Sequence, residues 1–395
     1  MAKTLVYHLY PLSWGSIQAM TDFIPRIKAL GADYIWLSPI YPSPRFDHGY
    51  DVTDYEAVDC RLGTLQDVDE FVRVAHSHGI KVLMDLVINH TSTQHPWFHE
   101  KPWYYYHANV SRQGWHNLFD DGLAWGYDEK EGDYYLHLFH EAQADLAWFD
   151  EDGDLNEFLA NEFRRIVYFW LSHGVDGFRL DVPQAVNKNV YGKAPSIDDL
   201  IYGDRAIKVL NAIFSGLEEP VFLAMELIDP TYGRLARTYA QNTPVDVCID
   251  MSLKNAASDP ELMLGYMQEL ADNGASALEL ESHDSPRFPS VSGMSPEDMI
   301  WEMFRTDFQY ICLYQGQELG LKNPTPEELP DEQLLNLDAQ TAMRHACGVS
   351  IDELRPYSRA NARVPIPLKE YSRQEAFPDS YLNLTKKWVK RWKER

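Results

Sequence analysis

Residues 177–182 read GFRLDV, an apolar run that carries Arg179 and Asp181 two positions apart. Side chains alternate along a strand, so the two charges share one face, at the carboxyl end of the run. The same kind of run recurs along the chain: Val6 to Leu9, Tyr34 to Leu37, Val82 to Leu86, Phe178 to Leu180, Val221 to Met225, Val245 to Ile249, Ala277 to Leu280 and Tyr310 to Leu313. Between them, Met20 to Leu30, Leu65 to His78, Leu155 to Ser172, Arg205 to Leu217, Glu261 to Asn273 and Pro296 to Tyr310 carry the helical period. Short strands alternating with helices predict a parallel sheet, and eight such strands close a barrel.

The fold expected is therefore an α/β (β/α)8 barrel made of residues 1–90 and 155–395. The exception to its rhythm lies at 91–154, after the third strand. There the chain is polar and aromatic, with Trp103, Tyr104, Tyr105 and Tyr106 in one cluster and Tyr134, Tyr135, Leu136 and His137 in another. That segment reads as a shortened inserted domain on the carboxyl-terminal face of the barrel, where active sites of this fold are built. Beyond Tyr314 the pattern loosens through a Pro- and Glu-rich stretch, Asn323 to Gln333, and through Ser358 to Ser380, which has no strong period. Tyr381 to Arg395 resumes as an amphipathic helix with Leu384, Trp388 and Trp392 on one face, read as the helix that closes the barrel.

Sixty acidic residues against thirty-five basic ones give a net charge of -25. That field repels phosphate backbones and anionic membrane surfaces, so neither nucleic acid nor membrane is expected as a partner. The residues after Met1 turn polar too soon for a signal peptide, and no segment is apolar enough to span a bilayer. Cys60, Cys248, Cys312 and Cys347 form no Cys-x-x-Cys pair, and three of them lie in apolar sequence. Buried free thiols and a cytoplasmic location are the expectation.

Four of the candidate strands end at or near an acid: Asp85 in DLVINH, Asp181 in GFRLDV, Glu226 in FLAMELID and Asp284 in ESHDSPR. A lone aspartate after a strand is usually a cap or turn residue. Four on separate strands, with Arg179, His90 and His283 nearby, converge if the barrel closes. Converging carboxyls suit acetal cleavage, which needs a proton for the leaving oxygen and an anion to meet the oxocarbenium-like carbon.

These four segments, in this order, resemble the four signature regions of the α-amylase family, glycoside hydrolase family 13. DHGYDVTDY (47–55), YDEKEGDYYLHLF (127–139), YQGQELG (314–320) and RANARVP (359–365) extend the likeness to the oligo-1,6-glucosidase, dextran glucosidase and α-glucosidase branch. The resemblance implies a retaining α-glucosidase acting on an oligosaccharide or disaccharide. In it Asp181 is the nucleophile, Glu226 the general acid and base, and Asp284 the stabiliser of the distorted ring. Arg179 aims Asp181 and keeps it ionised. Recognition of sugar hydroxyls falls to Asp47, Tyr50, His90, His283 and Arg363, and Phe139 walls the pocket. Val182 resembles the residue that accompanies activity on α-1,6 bonds in this branch, although simple strand packing explains it as well.

Where the sequence departs from the family, the expectations change. Many relatives hold Ca2+ on an acidic loop after the first strand; here Pro11 to Thr21 contains no acidic residue, so no metal and no cofactor is expected there. A second family calcium position involves Asn89, whose fellow ligands cannot be picked out. Ser282 stands where Asn usually precedes the His-Asp pair. The β-sandwich that follows the barrel in relatives is expected to be absent here. Two other readings stay open: a transglucosylase, in which a sugar replaces water as acceptor, and a non-catalytic barrel such as the ancillary subunits of amino-acid transporters.

Overall fold

The computed structural model describes residues 3–99, 103–106, 114–192, 194–231, 233–255, 259–273 and 276–395. Eight strands form the barrel: β1 (Thr4–Leu9), β2 (Tyr34–Leu37), β3 (Lys81–Val87), β4 (Gly177–Asp181), β5 (Phe222–Leu227), β6 (Val247–Asp250), β7 (Ser276–Glu279) and β8 (Tyr310–Tyr314). Each pairs in parallel with its sequence neighbours, and β1 closes the ring against β8 through Thr4↔Tyr310 to His8↔Tyr314. Alternation sends every second residue inward. Tyr34, Phe222 and Tyr310 pack with Val6, Trp36, Leu83, Ala224, Val247, Ile249, Ala277 and Cys312 as the filled interior. The opposite strand faces, Leu5, Tyr7 and Leu9 among them, join the large core beneath the helices. At Gly177 the strands crowd: a Cβ there would stand 2.1 Å from the carbonyl oxygen of Phe222, so only glycine fits.

Helices cover the barrel: α1 (Ile17–Leu30), α2 (Leu65–Ser77), α3 (Glu157–Ser172), α4 (Arg205–Phe214), α5 (Arg234–Asn242), α6 (Pro260–Asn273), α7 (Pro296–Arg305) and α8 (Tyr381–Lys393). Local chemistry sets their starts. Ser16 accepts from the Ala19 amide ahead of α1, Thr64 and Asp67 form a capping box on α2, and Asn156 caps α3. Helix α5 escaped the sequence reading because it is mostly polar and buries only Ala236 and Tyr239. The stretch after Tyr314 also holds more helix than expected: Asp331–Leu337, Ala339–Ala346, Ile351–Leu354 and Leu368–Ala376. These are too short for a helical period to stand out. Helix α8 does close the barrel, but it is rotated from its expected face, burying Leu382, Thr385, Val389 and Trp392. The Trp392 indole donates to the Phe308 carbonyl at 3.1 Å. Among the described residues no strand follows β8 and no helix is long and apolar enough to cross a membrane.

All four cysteines are free; Cys248 and Cys312 are buried, whereas Cys60 and Cys347 are exposed, against the expectation of buried thiols. Between β3 and α3 the chain makes its excursion. His90–Ser92 pairs antiparallel with Gln143–Asp145, and Trp125–Asp128 with Asp133–Leu136. Tyr105, Trp115, Trp125, Leu136 and Leu138 give it a small core of its own, shared with Ala185, Val190 and Leu200 from beyond β4. This aromatic core explains why the segment shows no helical period: it is built from strand pairs and rings. It rises directly over the carboxyl ends of β3 and β4.

Candidate active site

Strand register brings the first carboxylates together. Pairing of β3 with β4 sets Asp85 against Arg179 and Val87 against Asp181, while pairing of β4 with β5 sets Arg179 against Ala224, two residues before Glu226. The Arg179 guanidinium lies 4.8 Å from the Trp36 ring centroid, on an aromatic floor. Its Nη1 donates to Asp181 Oδ1 at 2.7 Å and to Asp85 Oδ1 at 3.0 Å, and its Nη2 to Glu226 Oε2 at 2.5 Å. One fork thus holds three carboxylates. Asp85 lies deepest and also receives the Tyr50 hydroxyl at 2.9 Å. Immediately after β4 the backbone turns through Val182 at φ 34°, a left-handed conformation that is costly for a β-branched residue. That turn aims the Val182 amide at Glu226 Oε2, 3.2 Å away.

Asp284 reaches the same place from the loop after β7. Its Oδ1 receives Arg359 Nη1 at 3.2 Å and Arg363 Nη2 at 3.0 Å, and its Oδ2 lies 3.0 Å from His283 Nε2. The His283 ring is stacked between Tyr50, at 5.0 Å, and Tyr10, at 5.5 Å. Neither of its nitrogens makes an aligned hydrogen bond among the described residues, and the ring, expected at the sugar hydroxyls, is not among the side chains lining the recess that Asp284 enters.

Asp47, Tyr50, His90, Phe139, Asp181, Glu226 and Asp284 all line one recess of about 330 Å³. Arg363, expected at the sugar hydroxyls, does not reach it. Its guanidinium is consumed by Asp284 and by the carbonyls of His283 and Leu337, so it acts from behind. The arginine that does line the recess is Arg359, from the same RANARVP stretch. It also contacts Asp47 at 3.3 Å and Asp338 at 3.0 Å. Phe119 and Gln143 were likewise not anticipated. Phe119 completes the wall, and Gln143 Nε2 donates to Asp47 Oδ2 at 3.1 Å while lying 3.0 Å from His90 Nε2. Neither carries a local signal, because each is one residue in the aromatic, polar excursion.

Burial and charge balance pull the acids apart. Burial pushes Asp181 well above the usual carboxylate range; Arg179 opposes this, but Glu226, Asp85 and Asp284 add to it. Asp85 is raised by burial too, against the pull of Arg179. Arg179 favours the ionised form of Asp181, but this one cation is shared by three buried carboxyls. For Asp284, burial is outweighed by His283, Arg359 and Arg363, which hold it well below the usual range. Burial lowers His283 to about 4 and His90 to about 3, so both are neutral near pH 7.

Asn89, expected at a family calcium position, has its Oδ1 on the Lys188 ammonium at 2.6 Å. That ammonium also meets Asp145 Oδ2 at 3.1 Å and the Ala185 carbonyl at 3.1 Å. A lysine therefore supplies the positive charge among these oxygens. Nothing in the sequence around Lys188 announced it.

Comparison with known proteins places this architecture. The family described as Alpha amylase, catalytic domain, matches residues 10–244. The oligo-1,6-glucosidase of Heyndrickxia coagulans is 30% identical over 92% of this chain and 76% of its own length. The alpha-glucosidase of Schizosaccharomyces pombe is 33% identical over 86% of this chain and 68% of its own. Among solved structures, the trehalose-6-phosphate hydrolase of Bacillus licheniformis superposes with a TM-score of 0.83 at 27% identity, covering 100% of this chain and 84% of that one.

Proposed function

The chain belongs to the alpha-amylase family, and from that premise we propose that it is a retaining α-glucosidase releasing terminal glucose from short α-glucosides, α-1,6-linked ones included. The observation that carries this reading is the shared guanidinium of Arg179, which holds Asp181 and Glu226 side by side at the recess that Asp284 enters from the opposite loop.

In the first step Asp181 Oδ attacks the anomeric carbon, the glycosidic C–O bond breaks, and Glu226 delivers its proton to the leaving oxygen. A covalent glucosyl ester results. In the second step water attacks the same carbon, Glu226 takes the water proton, and the Asp181 ester breaks with net retention. This course calls for carboxyl groups about 5 to 5.5 Å apart. Asp284, kept anionic, offers a permanent charge to ring hydroxyls and to the oxocarbenium-like transition state. The relatives named for α-1,6-glucosidic substrates, together with Val182 beside the nucleophile, support inclusion of that linkage.

Proton NMR of freshly cleaved p-nitrophenyl α-glucoside tests the course. Initial release of α-glucose is expected; β-glucose as the first product, or equal turnover by Asp181→Asn, would overturn it. No cleavage of isomaltose alongside cleavage of maltose would remove the α-1,6 assignment alone.

A further inference from the structure

A second recess of about 690 Å³ opens beside the catalytic one and shares Phe139, Val182 and Glu226 with it. Glu226 protonates the leaving oxygen in the reaction proposed above, on which this inference rests. Whatever enters the second recess is therefore the group attached to that oxygen. Its walls are aliphatic: Leu118, Val182, Ile197, Leu200, Ile201 and Ile228. Gln184 is the one amide side chain among its described lining residues, and its polar atoms are already engaged. Nε2 donates to the carbonyls of Ile201 and Ile228, both at 3.1 Å, and Oε1 accepts from the Ile228 amide at 2.7 Å. Apart from Glu226 itself, no lining side chain among the described residues offers a sugar hydroxyl a free partner.

At the rim, Leu118, Ile197 and Ile228 remain 42%, 55% and 41% exposed. Exposed aliphatic side chains gathered at the mouth of a cavity mark a ligand groove. A second glucose ring carries hydroxyls around its edge, and each one buried here without a partner would be penalised. An alkyl chain gains from the same surface. The catalytic recess has the reverse character, with Asp47, His90, Asp284 and Arg359 on its wall.

We propose that the preferred substrates are α-glucosides of apolar alcohols, with glucose in the charged recess and the alkyl aglycone in the aliphatic one. The glycosidic bond breaks, Glu226's proton leaves on the alcohol oxygen, and water supplies the hydroxyl of the released glucose. Substrate plus water thus becomes glucose plus alcohol.

The test is kcat/KM on methyl, butyl, hexyl and octyl α-D-glucopyranoside below their micelle concentrations, set beside maltose and isomaltose. Leaving-group acidity is nearly constant from butyl upward, so chain length reads burial. A rise of about fourfold per added methylene is expected until the recess is filled, with the hexyl glucoside ahead of both disaccharides. Ile197→Asn and Ile228→Asn, at rim positions that tolerate polarity, should flatten the rise. A flat series, or disaccharides cleaved faster than hexyl glucoside, overturns the aglycone proposal and leaves the glucosidase reading standing. No cleavage of any α-glucoside, p-nitrophenyl α-glucoside included, overturns both.

Discussion

Two groups of charged side chains line opposite sides of the recess, built from the same residue types but differing in how many guanidiniums meet the central carboxylate. At the ends of β3 to β5, one guanidinium, Arg179, serves three carboxylates: Asp85, Asp181 and Glu226. On the loop side two guanidiniums, Arg359 and Arg363, converge on Asp284, with Asp47 and Asp338 further out on Arg359. Burial disfavours charge on both sides. The countercharge met by each carboxyl decides the direction: Asp181 and Asp85, which share Arg179, are pushed up, as is buried Asp47, whereas Asp284, beside His283, Arg359 and Arg363, is held down. On the proposed course, proton transfer and covalent chemistry fall to the Arg179 side, and permanent electrostatic stabilisation to Asp284.

Substitutions can break this division. Asp181→Asn removes the proposed nucleophile and should lower kcat/KM on p-nitrophenyl α-glucoside by roughly 10⁴-fold or more. Asp284→Asn leaves Arg359 and Arg363 without their shared anion. Urea unfolding at pH 7 should show a loss of about 3–5 kcal/mol, the cost of breaking a buried ion pair from one side. The sign follows from linkage: a depressed carboxyl contributes stability above its unfolded value of about 3.9 and loses it as pH falls through the folded value. That loss should therefore shrink under acid. For Asp181 the sign reverses. Its raised carboxyl contributes its full stability below about 3.9 and loses it as pH rises through the folded value. At pH 7 its ionised form is a liability, so Asp181→Asn should stabilise the fold by about 0.5–2 kcal/mol even as it abolishes turnover. The mildest test is the pH profile. Because Asp181 must ionise to attack, the acid limb of kcat/KM should lie clearly above pH 4, and Asp284, already ionised, should add no limb there. A limb at or below about 3.9 would dissolve the contrast.

The strands were legible because each buries one face inside the barrel and the other under helices, giving runs such as Val82 to Leu86 that stand out from their surroundings. Long amphipathic helices such as α2 and α3 were legible for a related reason. Helix α5 was not, since most of its residues face solvent, and neither were the short helices after β8. At the site, Asp85, Asp181, Glu226 and Asp284 could be found because each follows an apolar run. Arg359 and Arg363 belong to one quoted motif, but their division of labour depends on which guanidinium turns toward the recess. Phe119, Gln143 and Lys188 had no pattern around them. Lys188 and Asn89 are far apart in sequence, yet their side chains meet at 2.6 Å.

By itself the amino-acid order determined the number of strands, their direction and the acids at their ends, because alternation and periodicity are properties of neighbouring residues. Only the folded chain decided how many cations each acid shares, which acids burial pushes up, and that the recess beside Glu226 is aliphatic. Those depend on register, burial and the turn at Val182, which combine residues hundreds of positions apart and are set when the barrel closes.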